Sequence, residues 1–151
     1  MSFSQLDQLY RRVIMDHYKN PRNKGTIDAD GKLTVNMNNP TCGDRVELHM
    51  IVEDNKIKDA KFLGEGCSIS LSSASMMTEA IKGLTVEEAL HMSELFSRMV
   101  QGKDYHEEGV DFGDIEALQG VAKFPARIKC ATLPWKAMEK LFLNERNADG
   151  S

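Results

Sequence analysis

The sequence predicts an α+β fold, in which a small antiparallel sheet of about three strands carries helices packed on one face. Apolar residues alternate with polar ones between residues 33 and 63, as is typical of strands, whereas helical periodicity dominates before residue 20 and after residue 67. Grouped strands followed by grouped helices indicate α+β rather than a parallel sheet. With 151 residues and no internal repeat, we predict a single domain over residues 1–151, with residues 144–151 as a flexible tail.

The first half of the chain supplies one helix and three strands. Apolar residues at helical spacing predict an amphipathic helix from Ser4 to Asn20, which Pro21 ends. A strand is predicted near 33–37, and strict alternation predicts a second, half-buried strand over 46–52. A tight turn over 54–56 then favours an antiparallel hairpin with a strand over 57–63, and we expect 64–67 to stop the sheet.

The second half is predicted to be helical. A helix rich in Ser, Ala and Met spans 68–82 and ends at Gly83, and Thr85 with Glu88 forms a capping box that opens a helix through Val100. A short helix is predicted over about 114–121 after an acidic loop at 104–108. The last helix carries Trp135 and has Cys130 at its head.

Composition excludes several classes of function. A net charge of −4 without a long basic run argues against nucleic-acid binding. No apolar run approaches the ~18 residues of a membrane span, and residues 1–7 lack the pattern of a leader. We therefore expect a cytoplasmic protein with no nucleic-acid and no membrane partner.

Three cysteines are the most informative residues. Cys42, Cys67 and Cys130, together with Asp44, make a complete tetrahedral ligand set of three sulfurs and one oxygen, which suits Zn²⁺ and is also compatible with an iron–sulfur cluster. An odd cysteine count in a reducing compartment favours metal or thiol chemistry over a disulfide. Because no C-x-x-C pair is present, ordinary buried cysteines, or a redox pair with a spare thiol, remain alternatives.

The surroundings of the cysteines favour a site. Cys67 follows Gly64 and Gly66 and precedes a helix, whose N-terminal end stabilises a thiolate. Arg127 and Lys129 would offset the negative charge of a metal–thiolate centre, although both are also compatible with solvated surface cations.

Other polar groups are weaker candidates. The serine-rich run at 68–75 lacks a nucleophile-elbow pattern. Asp44 can also be explained as a turn or capping residue. No histidine lies at ligand spacing from a cysteine, and His49 falls on the polar side of its strand.

Three segments carry a family resemblance. Residues 39–44 (NPTCGD), 64–70 (GEGCSIS) and 129–131 (KCA) resemble the IscU/NifU-like family of iron–sulfur assembly proteins. The blocks 113–121 and 124–130 resemble the branch of that family found in the SUF system of Gram-positive bacteria. The scaffold branch has a histidine directly before the last cysteine, and here that position is Lys129.

The resemblance implies a zinc-dependent sulfurtransferase. It implies zinc held by Cys42, Asp44, Cys67 and Cys130. It also implies that Cys42 is the catalytic residue, which accepts persulfide sulfur from a cysteine desulfurase of the SUF system. A histidine of that desulfurase would first displace Cys42 from the metal. Arg127 is then a second catalytic candidate, and the SUF scaffold complex is the downstream sulfur acceptor. Two alternatives stay open: a scaffold that assembles a transient Fe-S cluster on the three cysteines, and a purely structural zinc.

Overall fold

The computed structural model describes residues 3–39, 43–107, 109–110 and 112–150, with side chains described between residues 10 and 143. Its elements occur in a fixed order along the chain. They are α1 (Phe3–Lys19), β1 (Leu33–Asn39), β2 (Asp44–Glu53), β3 (Lys56–Glu65), α2 (Ser68–Ile81), α3 (Val86–Val100), a 3₁₀ helix (Gly113–Lys123) and α4 (Pro125–Gly150).

The sheet is antiparallel with the strand order β1-β2-β3. Val35 lies opposite Leu48, and Leu48 lies opposite Phe62, so these three side chains form one buried row across the sheet. Helices α2 and α4 pack against the sheet, and the remaining helices pack around these two. The predicted α+β class and the predicted three strands are confirmed.

The turn between β2 and β3 uses two residues with left-handed backbone. Asp54 and Asn55 have φ values of 53° and 66°, the combination that a two-residue hairpin turn requires and that Asn and Asp tolerate well. At the same end of the sheet, Thr85 accepts a hydrogen bond from the Glu88 N–H, and the Glu88 carboxylate accepts one from the Thr85 N–H. The predicted hairpin and capping box are both present.

The outer edge of β3 is covered by the segment after α1. The Gly25 N–H donates to the Phe62 carbonyl at 2.8 Å, and the Phe62 N–H donates to the Asn23 carbonyl at 3.0 Å. This short parallel bridge protects an otherwise open strand edge. The sequence pattern did not predict it.

Buried serines of α2 connect this helix to its neighbours. The Trp135 ring stacks on Phe96 with centroids 4.6 Å apart, and its Nε1–H donates to Ser73 Oγ at 3.1 Å. The Ser73 hydroxyl in turn donates to the Ala131 carbonyl at 2.6 Å. Because α4 contains both Ala131 and Trp135, these contacts fix its position on α2.

A second buried network connects α1, α2 and the 3₁₀ helix. His17 is fully buried, and its two ring nitrogens lie 2.8 Å from Ser75 Oγ and 2.9 Å from Asp114 Oδ2. The Arg22 N–H also donates to Ser75 Oγ. These bonds orient the 3₁₀ helix against the rest of the domain.

Three predictions need correction. The last helix begins at Pro125, so Cys130 is its sixth residue and not its head; proline is favoured in the first turn of a helix, where its missing N–H costs nothing. Strand β3 continues to Glu65 instead of stopping at 63. His49 is only 4% exposed, so its face of the strand is not solvated at that point.

Among the described helices, none combines the length and the apolarity needed to cross a membrane. Helix α4 is assigned through Gly150. The flexible tail over 144–151 stays a prediction.

Candidate metal centre

The open end of the β2–β3 hairpin positions the first two ligand candidates. Asp44 begins β2, and Cys67 directly precedes α2. Because Arg45 of β2 pairs with Glu65 of β3, Asp44 and Cys67 lie close together. The Cys67 N–H donates to Asp44 Oδ1 at 3.0 Å, and Cys67 Sγ lies 3.9 Å from Asp44 Oδ2. Asp44 therefore has a structural role, because it joins the start of β2 to the start of α2.

Gly66 makes this approach possible. Its φ is +146°, and a Cβ built on it would lie 2.2 Å from Asp44 Oδ1. No side chain fits in that space, so only glycine allows the carboxylate to reach the Cys67 N–H. The first glycine of the Gly64-x-Gly66 pair is also crowded, because a Cβ there would lie 2.8 Å from the Arg45 carbonyl.

Helix α4 brings the third candidate. Cys130 is fully buried, and the Ser73 bond to the neighbouring Ala131 carbonyl holds this turn of α4 against α2. One ligand atom from each of Asp44, Cys67 and Cys130 lies within 4.8 Å of the others. Asp44 is 1% exposed and Cys67 is half-buried, so among these three residues Cys67 is the most accessible to solvent.

Arg127 lies beside the two thiols. Its pKa is raised above the ordinary value, first because of its hydrogen bond with Cys130 and then because of the charge of Cys67. It is exposed and lies one turn before Cys130 in α4, so one guanidinium reaches both sulfurs from the solvent side. Lys129 is also exposed on α4.

The donor set fits a thiophilic metal. Two sulfurs and one carboxylate oxygen within 4.8 Å of one another provide three of the four tetrahedral ligands that Zn²⁺ prefers. A buried carboxylate is costly unless it is paired, and Asp44 has only the Cys67 backbone and sulfur as described partners. A bound cation would complete its pairing.

The structure brings together most of the residues singled out in the sequence. Asp44, Cys67 and Cys130 converge, and Arg127 lies next to them. Cys42 lies outside the described residues, so its predicted roles as ligand and sulfur acceptor stay predictions. Sequence reasoning missed the positioning roles of Gly66 and Ser73; the Gly-x-Gly spacing before Cys67 was the available signal for the first, and nothing marked the second.

The fold and the site define the chain as a small α+β protein with a cluster of two thiols and a carboxylate, able to hold a metal, at one end of its sheet. A family model described as the NifU-like N-terminal domain matches residues 9–131. The protein belongs to this family.

Two similar relatives carry different functional names. It is 65% identical over 141 residues to the zinc-dependent sulfurtransferase SufU of Bacillus subtilis (strain 168), a match covering 93% of this chain and 94% of that protein. It is 45% identical over 148 residues to the iron-sulfur cluster assembly scaffold protein IscU of Streptococcus pyogenes serotype M1, covering 98% and 91%.

Solved structures share the architecture. A crystal structure from Fervidobacterium islandicum AW-1, described as an iron-sulfur cluster assembly scaffold protein for the SUF system, superposes with a TM-score of 0.80 at 36% identity, covering 89% of this chain and 96% of that one. A NifU-like protein (N-terminal) from Brucella abortus gives a TM-score of 0.79 at 20% identity, covering 90% and 93%. The second likeness concerns the fold alone.

Proposed function

We propose that this protein is a zinc-dependent sulfurtransferase of iron–sulfur cluster assembly in the SUF system. The observation that carries the proposal is the convergence of Asp44, Cys67 and Cys130, with ligand atoms within 4.8 Å of one another and Arg127 beside the thiols. The 65% identity to a protein named for this activity supports it. Zinc would hold the cysteines as thiolates in a fixed arrangement.

Cys42 is the proposed sulfur acceptor and the fourth ligand. It precedes Asp44 by two residues, and chain connectivity keeps two such Cα atoms within about 8 Å of each other. Its thiolate attacks the outer sulfur of a persulfide on a cysteine desulfurase; a new S–S bond forms on Cys42, the donor's S–S bond breaks, and the donor cysteine leaves as a thiolate.

Arg127 is proposed to stabilise the anionic sulfur while Cys42 reacts. Its guanidinium already reaches the sulfurs of Cys67 and Cys130 from the solvent side, which is the side from which a large donor approaches. The desulfurase as donor, the SUF scaffold complex as later acceptor and a cytoplasmic location are parts of this proposal.

A second candidate function is assembly of a transient Fe-S cluster on the cysteines. The relatives named as scaffolds favour it, and the same sulfur-rich donor set can bind iron. Lys129 speaks against it, because an exposed ammonium replaces the imidazole ligand expected of that branch.

The test is cysteine turnover by a SUF-type desulfurase, with this protein supplied either zinc-loaded or metal-free and checked for fold by circular dichroism. We expect strong stimulation by the zinc form alone, and a persulfide on Cys42 by mass spectrometry that Cys42→Ala abolishes. A persulfide carried by another cysteine would overturn the assignment of Cys42. No stimulation, with a coloured cluster formed from iron and sulfide, would favour the scaffold function.

A further inference from the structure

An open groove of about 440 Å³ lies directly beside the metal centre. Its walls come from α1, the start of α2, the 3₁₀ helix and the start of α4. Ser68, which lines it, follows Cys67 in the chain, and Arg127 both lines the groove and contacts the two thiols. A molecule seated in the groove therefore reaches the edge of the site.

The groove combines an apolar floor with cations and has no acidic wall. Arg11, Lys123 and Arg127 line it, and none of the described lining residues is a carboxylate, although the whole chain carries a net charge of −4. The apolar lining consists of Tyr10, Ile14, Met15, Ile69, Ala117, Val121 and Phe124. An occupant that matches this surface has apolar side chains flanked by negative charges.

Phe124 marks the groove as a contact surface. Its side chain is 62% exposed, more than any other large apolar side chain in the described part of the protein. It lies between the 3₁₀ helix and α4, so its position is fixed by structured elements on both sides. Exposed aromatic residues next to cationic side chains are typical of protein interfaces.

We propose that this groove is the docking surface for the protein that donates sulfur, and that it takes a donor segment with an apolar anchor flanked by carboxylates. The inference rests on the proposed function, because it needs a protein donor. A docked segment that contacts Phe124 and Lys123 lies next to Arg127, which lines the same groove and also contacts the two thiols, so the donor is brought to the edge of the site.

The first test compares Phe124→Ala with Leu143→Ala. Leu143 is 59% exposed and does not line the groove, so it is matched in type and exposure. We expect Phe124→Ala to weaken binding to a SUF-type desulfurase about tenfold, measured by fluorescence anisotropy, whereas Leu143→Ala has no effect. Zinc content and the thermal unfolding midpoint should match wild type in both variants.

The second test concerns charge. Arg11 lines the groove, whereas its neighbour Arg12 is exposed outside it. We expect Arg11→Glu to slow association several-fold at low salt, with the difference from wild type shrinking as salt rises, and Arg12→Glu to have a smaller effect. If Arg11→Glu and Arg12→Glu slowed association equally, the effect would come from the overall charge of the protein and not from the groove, and the proposal would be overturned.

Inorganic polysulfide separates docking from chemistry, because a small donor needs no docking surface. We expect wild type and Phe124→Ala to acquire sulfur from it at equal rates; a slower Phe124→Ala would place the defect in the site itself and overturn the docking surface. Normal desulfurase binding by Phe124→Ala would also overturn the proposed docking surface. So would self-association of the wild type that Phe124→Ala abolishes and Leu143→Ala does not, because the groove would then bind a second copy of this chain. Intact binding without any sulfur transfer by wild type would contradict only the proposed function.

Discussion

The two ends of the β2–β3 hairpin are built on different principles. At the turn end, Asp54 and Asn55 adopt left-handed backbone that suits their side chains, and the nearby Thr85 and Glu88 satisfy each other's backbone groups three residues apart. At the open end, a carboxylate that is 1% exposed bonds a backbone group 23 residues away. The turn end combines short-range motifs with backbone bonds to the segment before α3, such as the Val86 N–H to the Asn55 carbonyl at 3.0 Å. The open end depends instead on a side-chain carboxylate that bonds a distant backbone group.

This difference predicts where substitutions have large effects. Changes at the open end should reduce stability and the proposed metal binding together, because Asp44 and Cys67 take part in the contacts that carry the fold there and in the proposed ligand set. Changes at the turn end should reduce stability alone.

The largest effect is expected for Gly66→Ala. The new Cβ would meet Asp44 Oδ1 at 2.2 Å on a backbone with φ of +146°, so the carboxylate must move away from Cys67. We expect zinc stoichiometry to fall from about one toward zero and the free energy of unfolding to fall by about 3 kcal/mol. Metal analysis and urea unfolding measure the two effects.

Gly31→Ala is the matched control for this change. Gly31 also has left-handed backbone, with φ of +81°, but a Cβ there meets nothing within 4 Å. It should cost about 1 kcal/mol and leave zinc unchanged. If Gly66→Ala lowered the free energy of unfolding no more than Gly31→Ala and left zinc binding unchanged, the crowding at Asp44 would play no part in forming the site.

Replacing Asp44 should separate its two roles. Asp44→Asn retains an acceptor for the Cys67 N–H but loses the charge, so we expect weaker zinc binding, by about 10-fold or more, with near-normal metal-free stability. Asp44→Ala loses both and leaves the Cys67 N–H unpaired, which should cost a further ~1–3 kcal/mol. Chelator competition and unfolding of the metal-free proteins measure this; identical zinc affinity in Asp44→Asn and wild type would show that Asp44 is no ligand.

Ser73→Ala tests how α4 is held near the site. It removes the bonds to Ala131 and to the Trp135 ring, and we expect a loss of about 2 kcal/mol with somewhat weaker zinc binding. Ser72→Ala is the control, because the equally buried Ser72 hydroxyl donates, as far as the described residues show, to the Ile69 carbonyl within its own helix. If urea unfolding showed the same loss of unfolding free energy in both variants, Ser73 would have no special role in holding α4.

The smallest effect is expected for Thr85→Ala at the turn end. Loss of the cap should cost about 1 kcal/mol, with zinc affinity unchanged. The pKa of Glu88 is lowered because its carboxylate accepts the Thr85 N–H bond. The contribution of the Glu88 carboxylate to stability is therefore present above its unfolded-state pKa and is lost as pH falls through its folded-state pKa. Thr85→Ala keeps the backbone N–H that Glu88 accepts, so wild type and variant should lose this contribution alike and keep their difference in acid. A change in zinc affinity would contradict the separation of the two ends.

The sequence predicted the turn end well because its information is local. Asn at a two-residue turn and the Thr-x-x-Glu box specify structure within four residues, and both are present. Pro125 carried an equally local signal for the start of α4, but the helix was placed too late. His49 shows a limit of strand alternation, which tells which face a side chain occupies and not whether other segments cover that face.

The site end was predictable only in part. Spacing of 25 and 63 residues between cysteines left the convergence open, and the family resemblance, not periodicity, implied it. The structure adds what neither supplied: the steric need for Gly66, the Ser73 contact and the groove next to Phe124. All three depend on long-range packing, which no short sequence window contains.

The position of Cys130 in the last helix has a consequence in time. During synthesis Asp44 and Cys67 emerge first, and the ribosome adds the 63 further residues that lead to Cys130 over ~3–13 s at 5–20 residues per second. A nascent chain in that interval has at most part of a ligand set, and half-built sites bind metal weakly. Under the proposed function, loading with zinc would thus depend on docking of the last helix, and metal uptake would mark the moment at which that helix has packed.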